Sequence, residues 1–359
     1  VYTYHFYRLL HRAKAVHLVY NTEPEVLKGS EPSRFIAQLE LEDHHQCHHQ
    51  ILTPKVPKIS TSPLLVKKTK PILESLQALA ERGLSPSSLG QYIRNPIDFY
   101  NQKILGLKEN NDLEETIKAT TFGSVVHYTL EAFYKPFVGQ RLDIEKLLEL
   151  KPKIEPTVRQ FFKELYKKGD ITRGKNLISF EIAKRYISNF IDYEIEFLKK
   201  GHIVQLKALE APINATLDSS ELAFPVCLRG NIDRIDTCDG TLRILDYKTS
   251  KVNQTDLNLV DWAPLIEDYK AHNKSFQLLM YAYILHKSNA LPLPLEAGIY
   301  SFKNLNAGVI KFTKKDKPGR GAHKQTQITP KLLEAFEAQL KQLLSTLFDV
   351  DEDFIEKKV

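Results

Sequence analysis

The sequence contains little methionine, cysteine or tryptophan. Its 359 residues include one methionine, one tryptophan and three cysteines, the latter at Cys47, Cys227 and Cys238. Three widely spaced cysteines do not make a disulfide framework, so we expect a reducing compartment. The one methionine is Met280 and the chain begins with Val1, so we expect a piece of a longer protein.

Long apolar runs and a large charge of one sign are also missing. No stretch reaches the roughly 20 apolar residues of a transmembrane helix, and the beginning lacks a signal-peptide pattern, so we expect no membrane partner. Lysine and arginine number 50 against 44 acidic residues, a net charge of +6. That excess permits a polyanionic partner without requiring one. Length and composition are those of a globular chain with two domains or one elaborated domain.

The hydrophobic patterning divides the chain into three parts. Residues 1–50 are predicted to be the end of another domain. Residues 51–71 hold four prolines and five lysines without a hydrophobic period, which predicts a linker. Residues 72–359 are predicted to form the main domain, mostly helical over 72–200 and built on a sheet over 201–359.

Local signals place the elements of this main domain. Ser85-Pro86 begins a helix that Asn95-Pro96 ends, and Asp239-Gly240 is the turn signal of a hairpin. The order helix, strand, strand, strand, helix, strand predicts an α/β fold with a mixed sheet flanked by helices. Predicted strands cover 204–217, 225–236, 242–248, 297–302 and 309–312, and predicted helices cover 121–137, 274–286 and 329–347.

The first motif with candidate chemistry runs from Gly123 through His127 to Glu131. On a helix these three positions share one face. We expect the glycine to let this face approach another backbone, with the histidine pointing into the space. A lone helix histidine is more often structural than a ligand, so His127 gains weight only from the motifs that follow. Glu131 is interpreted as structural, with the alternative that it contacts and supports residues that bind a metal.

Two predicted strands bring carboxylates and a lysine together. Asp246 and Lys248 are two residues apart, so their side chains share a face, and Asp233 lies on the adjacent strand of the hairpin. Burying these charges without partners is costly. A divalent cation relieves that cost, and carboxylate oxygens suit Mg²⁺ or Mn²⁺. Glu210, on the first strand, is left as either an ion-pair partner or an extra acid near the metal.

The helix after these strands carries Gln277 and Tyr281 one turn apart. Residues at this spacing lie on the same face of a helix. Both side chains can hydrogen-bond a phosphate or a base at the edge of a site, or they can simply complete a core.

Taken together, the motifs resemble the RecB-like branch of the PD-(D/E)xK nucleases, most of all the nuclease domain of AddB-type helicase–nuclease subunits. The resemblance covers residues 85–302. Four motifs in order are a specific signal where one would be weak. The motifs G-x-x-x-H, G-x-I-D, D-Y-K-T and Q-x-x-x-Y are matched at Gly123–His127, Gly230–Asp233, Asp246–Thr249 and Gln277–Tyr281.

The resemblance implies a restriction-endonuclease-like core with a large helical elaboration, and it implies roles for these residues. Lys248 would orient or activate the attacking water and stabilise the charge on the phosphate. The metal ligands would be His127, Asp233, Asp246 and the backbone carbonyl of Tyr247. The residues around them, in contact with DNA or behind the ligands, would be Gln277, Tyr281, Glu210 and Glu131.

The activity implied is Mg²⁺- or Mn²⁺-dependent hydrolysis of DNA, as an exonuclease in end processing and recombinational repair. The resemblance also implies DNA and a helicase subunit as partners, in the bacterial cytoplasm. Two alternatives stay open. One is a non-catalytic DNA-binding or scaffold module with a nuclease fold, against which the intact set of Asp233, Asp246 and Lys248 argues. The other is a metal hydrolase that acts on another phosphodiester, such as RNA.

The chain departs from the AddB-type pattern in its cysteines. Many of those nucleases hold an iron–sulfur cluster, with the first cysteine in a Y-x-x-C-P segment. Here that segment has Asn95 between Tyr92 and Pro96, and residues 301–323 contain no cysteine. A cluster needs about four thiolates, so we predict none.

A second resemblance concerns the beginning of the chain. Residues 5–14, followed by an apolar segment at 16–20, resemble the last motif of superfamily 1 helicases. We predict a helix over 4–14, a strand over 16–20 and a further helix capped by Ser30, with Arg12 as the remnant of a nucleotide-sensing arginine. The sequence has no G-x-x-x-x-G-K-[ST] loop, so we expect no ATP hydrolysis.

The remaining polar clusters are interpreted as surface. The histidine run at 43–49 lacks the spaced ligand pairs of zinc sites, so we predict a solvated stretch. The lysines of 67–70 are predicted to be a solvated linker. Asp236 and Asp239 are interpreted as turn and edge residues. The basic run at 314–324 is either a flexible loop or a flap that binds a nucleic-acid strand.

Overall fold

The structure is a computed structural model. It describes residues 2–20, 33–42, 46–51, 62–107, 116–166, 170–288, 292–319 and 321–357. The chain divides into two compact units, 1–61 and 62–359. No helix of the described residues is both long and apolar enough to cross a membrane.

The first unit holds the helices α1 (Tyr2–Leu10) and α2 (Arg34–Leu41). Phe6 and Phe35 stack with ring centroids 5.0 Å apart. Because α1 ends at Leu10, the helix predicted over 4–14 is shorter than expected. Arg12 lies beyond its end and is exposed. Ser30 and part of the histidine run, 43–45, lie outside the described residues.

The predicted strand over 16–20 is wrong. This segment is exposed and unpaired in the part of the first unit that the structure describes. An apolar pattern alone does not make a strand, because its backbone groups need a neighbouring strand as hydrogen-bond partner.

The second unit contains ten helices and eleven strands among the described residues. The helices are α3 (Lys70–Arg82), α4 (Pro86–Arg94), α5 (Pro96–Phe99), α6 (Ala119–Tyr134), α7 (Ile144–Leu148), α8 (Ile154–Leu165), α9 (Gly174–Lys199), α10 (Pro264–Glu267), α11 (Tyr269–Lys287) and α12 (Pro330–Phe348). The strands are β1 (Leu65–Val66), β2 (Val204–Leu217), β3 (Val226–Cys238), β4 (Thr241–Lys248), β5 (Asn258–Leu259), β6 (Leu295–Ser301), β7 (Val309–Lys311), β8 (Thr313–Lys315), β9 (Lys324–Gln325), β10 (Gln327–Ile328) and β11 (Phe354–Ile355).

Capping side chains define the ends of the helices near the site. Ser85 Oγ accepts a hydrogen bond from the Ser88 N–H at 3.2 Å, with Pro86 in the first turn of α4. Asp268 Oδ1 accepts one from Ala271 at the start of α11, and Thr329 caps α12. These residues satisfy N–H groups that have no partner within the helix.

Six of the described strands form the central mixed sheet. Its order is β10-β6-β4-β3-β2, with β7 also paired to β6. The β2–β3 and β3–β4 pairs are antiparallel, and β4–β6 is parallel, with α11 in the connection between them. Asp239 and Gly240, at φ 50° and 83°, form the hairpin turn that their sequence predicts. The predicted α/β class is confirmed.

Helices cover both faces of this sheet. One face packs against α3, α4, α11 and α12 through side chains such as Ile244, Leu279 and Phe336. The other packs against α6, α8 and α9 through side chains such as Leu245 and Phe190. Neighbouring residues of β4 enter different cores because side chains alternate along a strand.

Asp236 is buried, so its interpretation as a turn or edge residue is wrong. It is fully buried beside the equally buried Arg234. Asp236 accepts hydrogen bonds from Arg234 Nε at 2.8 Å and from Arg243 Nε at 2.7 Å. Arg234 Nη1 also donates to Glu194 of α9 at 2.7 Å. These opposite charges make the burial tolerable, and the partner on α9 is 40 residues away.

The end of the predicted linker belongs to the second unit. Strands β1 and β11 pair antiparallel. Lys68 is only 5% exposed, and its Nζ donates to the carbonyls of Thr346 and Asp349, both at 2.9 Å. The interpretation of Lys68 as solvated is therefore wrong, because carbonyls at the end of α12 attract a cation. Residues 52–61 lie outside the described residues.

Asn95 connects the end of α4 and the start of α5 with Lys357. It ends α4, and its Oδ1 accepts hydrogen bonds from the N–H groups of Ile97 at 3.2 Å and Lys357 at 3.4 Å. Lys357 Nζ also donates to the carbonyl of Ile93. The asparagine thus anchors residue 357 against the start of α5.

The basic run over 314–324 begins and ends in paired strands. β8 and β9 are antiparallel partners, and β8 is parallel to β5. Lys314 Nζ donates to the carbonyls of Val260 and Lys315. The two ends are therefore structured rather than a flexible loop, while residue 320 lies outside the described part of the chain.

Phe354 should be a major source of stability for the second unit. Its side chain is fully buried and contacts the rings of Tyr92, Phe99 and Tyr100. We expect Phe354→Ala to lower the free energy of unfolding by about 3–5 kcal/mol, the usual cost of a large core truncation. Urea denaturation followed by the fluorescence of the single tryptophan, Trp262, measures this.

Ile355→Ala is the matched control on the same strand, because Ile355 is 45% exposed. We expect it to cost less than about 1 kcal/mol. Equal losses for the two variants would show that the β1–β11 pairing, rather than the aromatic core, carries the stability.

Candidate active site

The site begins where β3 and β4 part. Their ladder ends at the pair Arg234 and Leu245. Beyond it, the backbone N–H of Tyr247 donates to Asp233 Oδ2 at 2.7 Å. The Asp233 carboxylate thus accepts the hydrogen bond that a main-chain carbonyl of β3 would otherwise accept. This contact with β4 holds the carboxylate in place.

His127 reaches this opening from α6, on one face of the sheet. Its Nε2 lies 3.0 Å from the carbonyl oxygen of Tyr247. Its Nδ1 lies 3.5 Å from Asp233 Oδ2 and 3.9 Å from Glu210 Oε1. Three residues that are far apart in the sequence therefore surround one imidazole.

Glu210 stands opposite Asp233 in the β2–β3 ladder. Its neighbours Leu209 and Ala211 pair with Arg234 and Ile232. Its φ of 41° is a left-handed conformation, which costs a non-glycine residue on the order of 1–3 kcal/mol and is found mostly at functional sites. Glu210 Oε2 accepts a hydrogen bond from Asn231 Nδ2. Glu210 thus lies near His127 Nδ1 as an ion-pair partner and within reach of the same group of ligand atoms as Asp233, so both alternatives for it stay open.

Asp246 and Lys248 project from β4 to the other side of the opening. Asp246 is 2% exposed, and its Oδ2 lies 2.9 Å from Lys248 Nζ. Its Oδ1 accepts a hydrogen bond from Gln277 Nε2 at 3.0 Å, and the same amide donates to Tyr281 Oη at 2.9 Å. Gln277 and Tyr281 thus lie on the face of α11 that is next to the site. Through Gln277, this helix orients the carboxylate of Asp246.

Three carboxylates, those of Asp233, Asp246 and Glu210, lie in this half-buried site. Burial raises the pKa of Asp246, Lys248 opposes this, and Asp233 adds to it. Burial alone would lower the pKa of His127, but the Asp233 and Glu210 carboxylates raise it to about 10. Burial likewise acts against the charged form of Lys248, while Asp246 raises its pKa above the ordinary value. The protein thus places cations beside these acids.

The donor set fits a hard divalent cation. One ligand atom each from His127, Glu210 and Asp233 lie within 4.8 Å of one another. Two carboxylate oxygens, an imidazole nitrogen and the nearby Tyr247 carbonyl are ligands that Mg²⁺ and Mn²⁺ accept. Asp246, bound to Lys248 and Gln277, borders this group.

The two motif glycines have different roles. A Cβ on Gly230 would lie 2.7 Å from Tyr281 Cε1, so the glycine makes room for that ring. A Cβ on Gly123 would meet nothing closer than Thr249 Oγ1 at 3.9 Å. The expectation that Gly123 permits a close backbone approach is therefore wrong, since α6 does not come near enough to a neighbour there.

Some residues of the site carry no motif. Asn231, the variable position of the G-x-I-D motif, holds Glu210, and only the β2–β3 register reveals this. Glu131 makes no hydrogen bond or ion pair with the site residues that the structure describes. Arg12 belongs to the other unit.

Alanine at the two motif glycines should change stability in opposite directions. Gly123→Ala should raise the free energy of unfolding by about 0.5–1 kcal/mol, because alanine restricts the unfolded chain and fits in mid-helix. Gly230→Ala should lower it by about 1–3 kcal/mol, the range for overpacking, because the new methyl group displaces Tyr281. Urea denaturation measures both, and a loss of stability in Gly123→Ala would restore the close-approach interpretation.

Comparison with known proteins adds relatives and a family. An uncharacterized protein of Rickettsia felis is 36% identical over 64 residues, which is 18% of this chain and 8% of the relative. One of Rickettsia conorii is 34% identical over 64 residues with the same coverage. One of Rickettsia typhi is 26% identical over 178 residues, 47% of this chain and 18% of the relative. The matched regions span less than a fifth of these curated relatives.

A family match covers most of the second unit. Residues 83–356 match the PD-(D/E)XK nuclease superfamily. This is well over half of the 359 residues, and it includes every strand of the central sheet and all the residues gathered around Asp233. The chain belongs to the PD-(D/E)XK nuclease superfamily.

Proposed function

We propose that the second unit is a Mg²⁺- or Mn²⁺-dependent deoxyribonuclease that hydrolyses phosphodiester bonds. The observation that supports this most is the gathering of His127, Glu210 and Asp233 beside the Asp246–Lys248 ion pair. Oxygen ligands next to a fixed cationic side chain suit a reaction that places negative charge on phosphate oxygens.

The metal would be held by Asp233, Asp246, His127 and the carbonyl of Tyr247, with Glu210 as a further acid. A divalent cation bound there would supply a water that is acidic near neutral pH and a Lewis acid for the phosphate. The chain's part is to keep these ligands in place. The Tyr247 N–H fixes Asp233, and Gln277 fixes Asp246.

Lys248 would act as a cation rather than as a base. Asp246 holds its pKa above the ordinary lysine value, so the side chain stays an ammonium near neutral pH. Its side chain is 31% exposed, which lets it meet a phosphate oxygen. It would then stabilise the charge that develops in the transition state.

The narrower role is proposed from the motif resemblance. We infer an exonuclease in DNA end processing and recombinational repair, with a helicase subunit as partner and a bacterial cytoplasmic location. The matches to much longer relatives support a place in a larger protein, since 64 aligned residues are only 8% of two of them. A scaffold without catalysis is the rival outcome of the test below.

Cleavage of DNA should depend on both the metal and the Asp246–Lys248 pair. Deoxy-only oligonucleotides, single- and double-stranded and labelled at one end, are incubated with Mg²⁺, Mn²⁺ or EDTA. We expect cleavage with either metal and none with EDTA. Asp246→Asn and Lys248→Ala should each lose about 100-fold or more, because Asp246 would hold the metal and Lys248 would place a positive charge at the reacting phosphate.

Lys331→Ala, an exposed lysine on α12, is the matched control. The ladder of end-labelled products distinguishes exonuclease from endonuclease action. DNA that is bound but stays intact with either metal would support the scaffold, and cleavage that survives both site variants would place the chemistry elsewhere.

Glu210 should contribute to metal affinity. Its Oε1 and Asp233 Oδ2 both lie within 4 Å of His127 Nδ1. We expect Glu210→Gln to weaken Mn²⁺ binding about tenfold or more, in the range seen when groups around a metal are changed. Isothermal titration with Mn²⁺ measures this, with Glu334→Gln, an exposed acid on α12, as control. Equal affinities would exclude Glu210 from the metal centre.

A further inference from the structure

A cavity of about 750 Å³ opens beside Lys248. This volume is in the range of sites that hold a small organic ligand. The cavity shares Asn231, Lys248, Gln277 and Tyr281 with the candidate active site and then extends away from the carboxylates. Its other walls come from α4, from β3, from the segment after β4 and from the beginning of α11, and they include Gly90, Arg229, Gly230, Tyr269 and Lys274.

The charges of this cavity have one sign. Arg229, Lys248 and Lys274 line it, and no acidic residue is among its lining residues. This contrasts with the adjoining metal centre, where the acids Glu210 and Asp233 meet His127. A ligand that extends from the candidate metal site into the cavity would therefore meet basic side chains, which attract an anionic group.

Arg229 is available to such a ligand. Its backbone N–H donates to the carbonyl of Leu84, and its side-chain carbons lie against Gly83, where a Cβ would approach Arg229 Cδ to 3.0 Å. Among the described residues its guanidinium has no hydrogen-bond or ion-pair partner. Lys274 is only loosely paired, with Nζ 3.8 Å from Asp256 Oδ2.

Two aromatic rings complete the walls. Tyr269 lies over Gly90, where a Cβ would come within 2.9 Å of its ring, and Tyr281 lies over Gly230 at 2.7 Å. Both glycines thus let a tyrosine ring lie close to the backbone and keep the cavity open. Aromatic faces beside basic groups are the elements that bind single-stranded nucleic acid, because every base can stack.

We propose that this cavity is a subsite for the nucleotide next to the scissile bond of a single DNA strand. Arg229 and Lys274 bind the neighbouring phosphate, and Tyr269 offers a face for the base. This inference rests on the proposed nuclease function. It assigns strand binding to residues outside the four motifs, and it predicts that a second phosphate strengthens the binding of the substrate.

The test compares substrates that differ by one nucleotide and therefore by one phosphate. The dinucleotide TpT has only the scissile phosphate, and TpTpT has a second one. In the wild-type chain we expect the second phosphate to raise kcat/KM about tenfold or more, mainly through a lower KM. In Arg229→Ala and Lys274→Ala that gain should fall to about twofold, because the contact partner of the added phosphate is missing.

The matched controls are Arg185→Ala on α9 and Lys331→Ala on α12, both exposed residues outside the cavity lining. They should keep the full gain. Salt dependence is a second readout, since the loss of one phosphate contact should lower the slope of log KM against log salt by about one. A gain that persists in both cavity variants would overturn the proposal.

A binding assay separates this inference from the proposed function. If the wild-type chain cleaves neither substrate, the nuclease function fails first. Fluorescence anisotropy with a labelled twelve-nucleotide thymidine oligomer in EDTA then still tests the cavity. Weaker binding of Arg229→Ala and Lys274→Ala than of the two controls supports the subsite, and equal binding of all four variants refutes it.

Discussion

The hydrogen bond from the Tyr247 N–H to Asp233 Oδ2 is the contact on which the site depends. It replaces a ladder bond between β3 and β4, so the two strands separate without leaving an unpaired backbone donor. The same residue presents its carbonyl oxygen to His127 and its side chain to the core beneath α9. One residue thus connects the carboxylate, the histidine and the packing of the sheet.

Buried charge is handled in two ways in this molecule. Around Arg234, two arginines and two acids neutralise one another below the sheet through hydrogen bonds of 2.7–2.8 Å. Around Asp233, the carboxylates of Asp233 and Glu210 raise the pKa of His127, and burial together with Asp233 raises the pKa of Asp246. The first arrangement is structural, because its two positive and two negative charges balance without a ligand. The second has an excess of carboxylates, whose oxygens a divalent cation could bind.

The two faces of the sheet contribute different parts of the site. Helix α6 supplies His127, whereas α11 supplies Gln277 and the walls of the adjoining cavity. The strained backbone of Glu210 lies between them on β2. A candidate site assembled from both layers requires the sheet to be packed on both faces, so α6, α8 and α9 support its geometry.

The local pattern of the sequence determined the elements and the order of the motifs. The bounds of β2 and the caps of α4 and α12 could be predicted because apolar alternation, proline and short polar caps act over a few residues. The four motifs made His127, Asp233, Asp246 and Lys248 candidate site residues for the same reason, since each motif lies mostly within one element.

Only the tertiary structure decided which distant residues meet. Asp236 lies next to a turn in the sequence, yet the arginines of β3 and β4 and a glutamate of α9 hold it in the core. Lys68 follows a proline-rich stretch, yet its ammonium lies on the last carbonyls of α12. Glu210 and the cavity around Arg229 depend on the β2–β3 register and on the packing of α4 and α11. Such contacts join residues tens to hundreds of positions apart, and no local periodicity encodes them.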